Sequence, residues 1–185
     1  VKKELESLTG WQVVVGNDAN VAALGEMWKG AGHGEKNMVM VTLGTGVGGG
    51  VIMGGRPLIG ANGAGGEIGH ICVNYFEEKC CGCGKKGCLE QYASATGIAR
   101  IAREHLTADK KDSILRTYDW DKIDAKIVFD ALKEGDLLAV DVVEEFGEYL
   151  AKGLADVAVV VDPSLFVIGG GVSKAGEILL TYIEK

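Results

Sequence analysis

The chain has 185 residues, 47% of them hydrophobic and 24% charged, enough to bury a sizeable core as one domain or one lobe. Its formal net charge of −7 argues against a broad nucleic-acid-binding face, which needs clustered Lys and Arg. No apolar run is long enough to cross a bilayer, and the longest, residues 157–161, is broken by Asp162-Pro163.

In chain order, residues 1–8 read as the tail of a helix stopped by Gly10. Residues 11–15 are rich in β-branched side chains and predict a buried strand. Asn17-Asp18 falls where a helix N-cap belongs, and Val21, Leu24 and Trp28 then recur at helical spacing. Residues 38–43 and 47–53 predict two apolar strands joined by a turn around Gly44-Thr45-Gly46, that is, a hairpin. A glycine-rich loop over 60–69 carries Glu67 and delivers His70 onto a short strand, 71–73. From Ser94 the pattern turns helical, with Ile98, Ile101 and Ala102 facing inward. Residues 110–122 are charged and irregular, a surface loop. Helices follow over 125–133 and 137–160. Then comes a strand over 164–168 ending in Gly169-Gly170-Gly171, and a last helix begins near Ser173. Paired strands followed by alternating helix and strand predict an α/β lobe with a mixed sheet flanked by helices.

Four of the five cysteines lie between Cys80 and Cys88, a crowding that favours a metal site in a reducing cytoplasm over a disulfide framework. Cys81, Cys83 and Cys88 share one tight loop in which Gly82, Gly84 and Gly87 let the sulfurs converge. With His70, the nearest upstream histidine, they would form a closed Cys₃His zinc set. Cys80 reads as a bystander that could compete as a ligand, and Cys72 as a small core residue.

Three acids hang on rigid features: Asp18 at a helix start, Glu67 in the glycine loop, and Glu90 two positions past the last cysteine. Together they fit a site that holds a polyhydroxylated ligand through bidentate hydrogen bonds. The turn between the paired strands can cradle phosphate through its amides and the Thr45 hydroxyl. It is neither a P-loop nor a dinucleotide fingerprint, since no Gly-Lys-Ser/Thr follows and the next element is a strand. Gly169-Gly170-Gly171, at a strand end before a helix, offers a second nucleotide contact.

The segments Asn17-Asp18-Ala19-Asn20-Val21-Ala22-Ala23-Leu24-Gly25-Glu26, Val41-Thr42-Leu43-Gly44-Thr45-Gly46-Val47-Gly48-Gly49-Gly50, Gly63-Ala64-Gly65-Gly66-Glu67-Ile68-Gly69-His70 and residues 81–90 jointly resemble the ROK (repressor/ORF/kinase) family of sugar kinases. Within it they are most similar to the glucokinase group of Gram-positive bacteria. The resemblance implies an actin/hexokinase-like (ribonuclease H-like) ATPase fold that binds a hexose and ATP with Mg²⁺ in a cleft between two lobes. Residues 1–185 would be the larger, C-terminal lobe, with 1–10 the tail of a linking helix and 70–90 a zinc- and sugar-binding insertion. The N-terminal lobe and a final helix are expected to lie outside the chain, leaving it inactive by itself.

By the same resemblance Asp18 is the general base and Asn17, Gly65, Glu67, His70 and Glu90 bind the sugar. Thr45 and Gly46 meet the ATP phosphates, and Gly170 and Gly171 the adenosine side. His70, Cys81, Cys83 and Cys88 hold structural zinc, His70 serving both metal and sugar. The expected activity is phosphorylation of glucose to glucose 6-phosphate by a cytoplasmic homodimer, with no membrane or nucleic-acid partner. Three other readings stay open: a ROK repressor that senses a sugar, a ROK kinase for fructose, mannose or N-acetylmannosamine, and a zinc-stabilised domain without catalysis.

Overall fold

The computed structural model describes residues 1–184. A four-stranded mixed sheet organises it, in the order β3-β2-β1-β4. The strands are β1 (Met38–Leu43), β2 (Val47–Met53), β3 (Arg56–Pro57) and β4 (Leu165–Gly169), with β1–β2 and β2–β3 antiparallel and β1–β4 parallel. The helices are α1 (Lys2–Thr9), α2 (Asp18–Lys29), α3 (Glu90–Ala93), α4 (Ala95–Ala108), α5 (Ala125–Lys133), α6 (Leu137–Val161) and α7 (Ile178–Ile183).

β1 reads as an unbroken apolar run because both its faces are covered. Val39, Val41 and Leu43 enter the main core with α4, α5 and α6, whereas Met38 and Met40 point the other way into a smaller cluster with Ala23, Ile52 and Val167. The strand's period of two therefore divides one sequence between two cores. The main core is centred on Phe146 of α6, fully buried and edge-on to Phe129 of α5 with ring centroids 6.2 Å apart. Ile98, Ile101 and Ala102 of α4 face inward as predicted.

β2 carries three consecutive glycines, and each meets a different neighbour at backbone distance. A Cβ at Gly50 would lie 2.5 Å from the Ala19 carbonyl oxygen and 2.6 Å from Ala23 Cβ, so α2 rests directly on the strand. One at Gly48 would meet the Thr42 hydroxyl at 2.5 Å. On the opposite face, one at Gly49 would run into the Gly66 carbonyl oxygen and the Ile68 side chain. Both neighbouring segments thus approach a strand stripped of side chains.

Helix ends follow local chemistry. Asn17 caps α2 by accepting from Asn20 N at 3.1 Å, Ser94 caps α4 through Gly97 N at 3.0 Å, and Asp136 caps α6 through Ala139 N at 2.9 Å. Gly10 closes α1 with φ 70°, as expected of a left-handed stop.

Four expectations need correction. Residues 11–15 are not a buried strand: the segment is irregular, joins no ladder, and leaves Trp11, Val14 and Val15 exposed. Its β-branched composition is real, but none of the described strands runs beside it. The short strand at 71–73 reduces to one bridge, Cys72 to Cys88, after a 3₁₀ turn over Ile68–His70. The stretch 110–122 is charged yet anchored, because Leu115 is fully buried and Ile114 N donates to Asp136. The final helix starts later than Ser173: a 3₁₀ turn, Val172–Ala175, and Gly176 at φ 84° precede α7.

Gly50→Ala is expected to cost about 1–3 kcal/mol, because α2 must move off β2. Gly25→Ala, on the exposed side of the same helix with open space around it, should gain up to about 1 kcal/mol. Urea unfolding of the two variants beside the parent checks both signs.

Candidate functional site

The hairpin turn between β1 and β2 forms one wall of a cleft of about 310 Å³ lined by Asp18, Thr45, Gly46, Glu90 and Gly170, among others. Asp18 is exposed in the first turn of α2. One of its oxygens, Oδ1, accepts from Ala19 N at 2.9 Å, so the helix end fixes the direction of the side chain. The turn is tied down from below: Ala95 N donates to the Gly44 carbonyl at 2.8 Å and the Thr96 hydroxyl to the Thr45 carbonyl at 2.8 Å. A side chain at Gly46 would displace the Glu90 carboxylate, which occupies the place of its Cβ. Glu90 Oε2 accepts from Val47 N at 3.1 Å, and Oε1 accepts from the Cys81 thiol at 3.6 Å. One carboxylate therefore joins the turn to the cysteine loop.

In that loop the ligand atoms of His70, Cys81, Cys83 and Cys88 all lie within 4.8 Å of one another. Cys83 Sγ is 3.6 Å from Cys88 Sγ, and Cys81 Sγ is 3.8 Å from His70 Nδ1. A tetrahedron with Zn–S bonds of about 2.3 Å has edges of about 3.7 Å, so the donor set and its spacing are compatible with zinc. Burial pushes the Cys88 thiol up to about 12, and raises Cys81 as well. The Lys85 backbone N–H, by contrast, draws Cys83 down. Two buried thiols held close in protonated form are what a cation would convert to thiolates.

A second, polar network clamps this loop onto the helices. Tyr92 of α3 and Tyr149 of α6 stack with centroids 3.9 Å apart, and Asn74 Nδ2 donates to both hydroxyls at 3.0 and 3.2 Å. The Tyr92 hydroxyl donates to Glu77 at 2.6 Å, and Arg100 lies over the Tyr92 ring and 3.5 Å from Glu77. Burial alone would raise Glu77, but the Tyr92 hydroxyl, the Lys79 amide and the Arg100 charge together hold it below 4.5. Gln91 completes the clamp, accepting from Cys88 N and donating to the Lys79 carbonyl, both at 3.0 Å.

The sequence profile of the ROK family matches residues 1–185. The chain is 52% identical over 186 residues to a glucokinase of Halalkalibacterium halodurans, spanning all of this chain and 56% of that protein. It superposes on a ROK family glucokinase from Streptomyces griseus, solved with glucose and AMPPNP, at a TM-score of 0.87 and 42% identity, covering 99% of this chain and 60% of the other. A ROK family transcriptional regulator, a homologue of the E. coli MLC protein, gives the same TM-score at 35% identity, covering 99% and 45%. The chain belongs to the ROK family. It spans a little over half the length of the glucokinases it matches.

Among the residues singled out from sequence, this ROK chain gathers Asp18, Thr45, Gly46, Glu90 and Gly170 in one cleft, with Asn17 beside Asp18. His70 joins them through Cys81 and Glu90. Gly171 lines an adjoining pocket of about 460 Å³ with Phe129, Lys133 and Ala175. Gly65 packs against the backbone of residues 58–60, which leaves no room for a side chain there. Glu67 is exposed at the start of the 3₁₀ turn that carries His70, and is not part of the cleft wall. Cys72 is only half-buried, with its sulfur 3.6 Å from the Lys86 carbonyl, so it is not the core residue its strand-like context predicted. Sequence reasoning missed the Tyr92 network, Thr96 and the Phe129 pocket. Only the Ser94 cap gave a local signal for the second of these.

Tyr92→Phe removes one hydrogen bond from Glu77, which keeps the Lys79 amide and Arg100, and one from Asn74, which keeps Tyr149, and should cost about 1–3 kcal/mol near neutral pH. Because Glu77 is held below its unfolded value, its contribution is present above pH about 4.5 and lost as pH falls through that range. Urea titrations across that range should show a shallower acid loss in Tyr92→Phe than in the parent.

Proposed function

We propose that this chain is the sugar-binding part of an ATP-dependent hexose kinase, with glucose as the substrate and glucose 6-phosphate as the product. The observation that carries the reading is that Asp18, the Thr45-Gly46 turn and Glu90 line one cleft, with Glu90 bonded to the turn at Val47 N. Phosphoryl transfer needs little more than positioning, charge stabilisation and a carboxylate to accept the hydroxyl proton. The 52% identity to a glucokinase, and the fit to a structure that holds glucose and an ATP analogue, support the same substrates here.

In this mechanism Asn17, His70 and Glu90 hold sugar hydroxyls through hydrogen bonds, and the loop of Gly65 and Glu67, which lies outside the cleft wall, reaches the sugar from beside it. The reacting hydroxyl donates its proton to Asp18 as its oxygen attacks the γ-phosphorus of MgATP, and ADP leaves. Thr45 and Gly46 face the phosphates, while Gly170 and Gly171 stand between the cleft and the Phe129 pocket, where the adenosine would lie.

Zinc in this reading is structural, held by His70, Cys81, Cys83 and Cys88, and it supplies rigidity. With Nδ1 turned to the cysteines, His70 presents Nε2 to the sugar, and Glu90 keeps its direction through Cys81 and Val47. The cytoplasm and a homodimer complete the proposal. The family's transcriptional regulators share the fold with equal closeness. The kinase reading rests on Asp18 and on the higher identity to glucokinases.

In the complete protein, Asp18→Asn should bind glucose by calorimetry much as the parent does while kcat in an ADP-release assay falls by about 10²–10⁴-fold. Turnover near the parent's, or absence of glucose-dependent ADP release in the parent, would reject the assignment. Metal analysis should find zinc, and Cys83→Ser should lose it.

A further inference from the structure

The proposed function leaves Cys72 without a role, yet its position is specific. It stands opposite Cys88 in an isolated antiparallel bridge. The flanking bonds are Val73 N to the Gly87 carbonyl and Leu89 N to the Ile71 carbonyl, both 2.8 Å, so the two cysteines form the non-hydrogen-bonded kind of pair. Such pairs bring Cα atoms to about 4.5 Å, with side chains on the same face. That separation lies inside the window of roughly 4.4–6.8 Å that a disulfide accepts. The remaining thiol outside the ligand set, Cys80, is exposed and faces Lys86 instead.

We propose that Cys72 is an oxidative modification site: a peroxide links it to Cys88 and thereby removes one of the four ligands from the metal centre. This rests on the zinc reading above for its consequence, but not for the pairing itself. Cys72 is half-buried and reachable, while Cys88 is fully buried, so Cys72 is the point of attack. Its sulfur attacks one peroxide oxygen, the O–O bond breaks, and a sulfenic acid and water result. The Cys72 sulfur turns about χ1 from the Lys86 carbonyl toward its partner. Cys88 sulfur then attacks it, the S–S bond forms, and the sulfenic oxygen leaves as water with a solvent proton. In sum, one thiol, one metal-bound thiolate, one peroxide and one proton give a disulfide and two waters. The thiols lose two electrons and the peroxide gains them. With Cys88 withdrawn, zinc is left with three ligands, and His70 and Glu90 lose their anchor.

The test treats the purified zinc-loaded protein with hydrogen peroxide. Zinc release is followed with a chromogenic chelator and disulfides are mapped in non-reduced peptides by mass spectrometry. The proposal expects a Cys72–Cys88 linked peptide as the first product, zinc release in step with it, and recovery with dithiothreitol and added zinc. Cys72→Ser should bind zinc normally and lose both the linked peptide and the early release. Should that variant misfold, Cys72→Ala repeats the comparison. A first disulfide between any other pair, or unchanged zinc release in the Cys72 variants, overturns the proposal. If the starting protein holds no zinc, the metal reading fails, and the peptide map still decides the pairing.

Discussion

The close approach of backbone to backbone at β2 is the constraint on which the rest of the structure depends. Gly50 admits α2 and so fixes where Asp18 stands, and Gly49 admits the loop that carries Glu67 and His70. Gly46, in the turn just before, yields its side-chain space to Glu90. A methyl group at any of the three would push one arm of the site outward. Glycine in a strand normally weakens it, by roughly 0.5–1 kcal/mol against alanine. Here that loss is offset by burial of the hairpin between two apolar layers, with Val47, Val51 and Ile52 almost wholly out of water.

The arms are then held by unlike means. α2 relies on packing: Ala19 and Ala23 are small enough to lie on the strand, and the methionine-rich cluster beneath fills the remaining space. The cysteine loop has little apolar content and leaves Tyr75 and Phe76 exposed, so packing cannot hold it. Its order comes from the Tyr92–Asn74–Glu77–Arg100 network on one side and from the converging sulfurs on the other. Glu90 stands where these two systems meet the hairpin turn between β1 and β2. In our reading, any change to the metal is felt at the sugar for that reason.

Much of this was legible in the sequence, and the exceptions share a cause. The hairpin, the cap at Asn17, the inward face of α4 and the convergence of His70 with Cys81, Cys83 and Cys88 each follow from short-range rules of period, cap or ligand spacing. Residues 11–15 misled because β-branched composition signals a strand only where another strand lies alongside. Residues 110–122 misled in the opposite sense: one apolar residue, Leu115, anchors a charged segment, and Asp136 reaches it from a distant helix. The apolar flanks of Cys72 point to a core position, whereas its surroundings are set by a bridge to a residue sixteen positions away. The Phe129 pocket joins α5 to the turn after β4, a long-range contact with no local motif.

The most direct measurement is glucose binding by calorimetry to the complete protein carrying Gly49→Ala, with zinc content determined on the same sample. That methyl group displaces the Gly66–Ile68 segment without touching Asp18 or the cysteines. The account predicts a glucose affinity at least about tenfold weaker, equivalent to about 1.4 kcal/mol, even in samples in which the three cysteines retain zinc. Unchanged affinity in a folded, zinc-replete variant would contradict it.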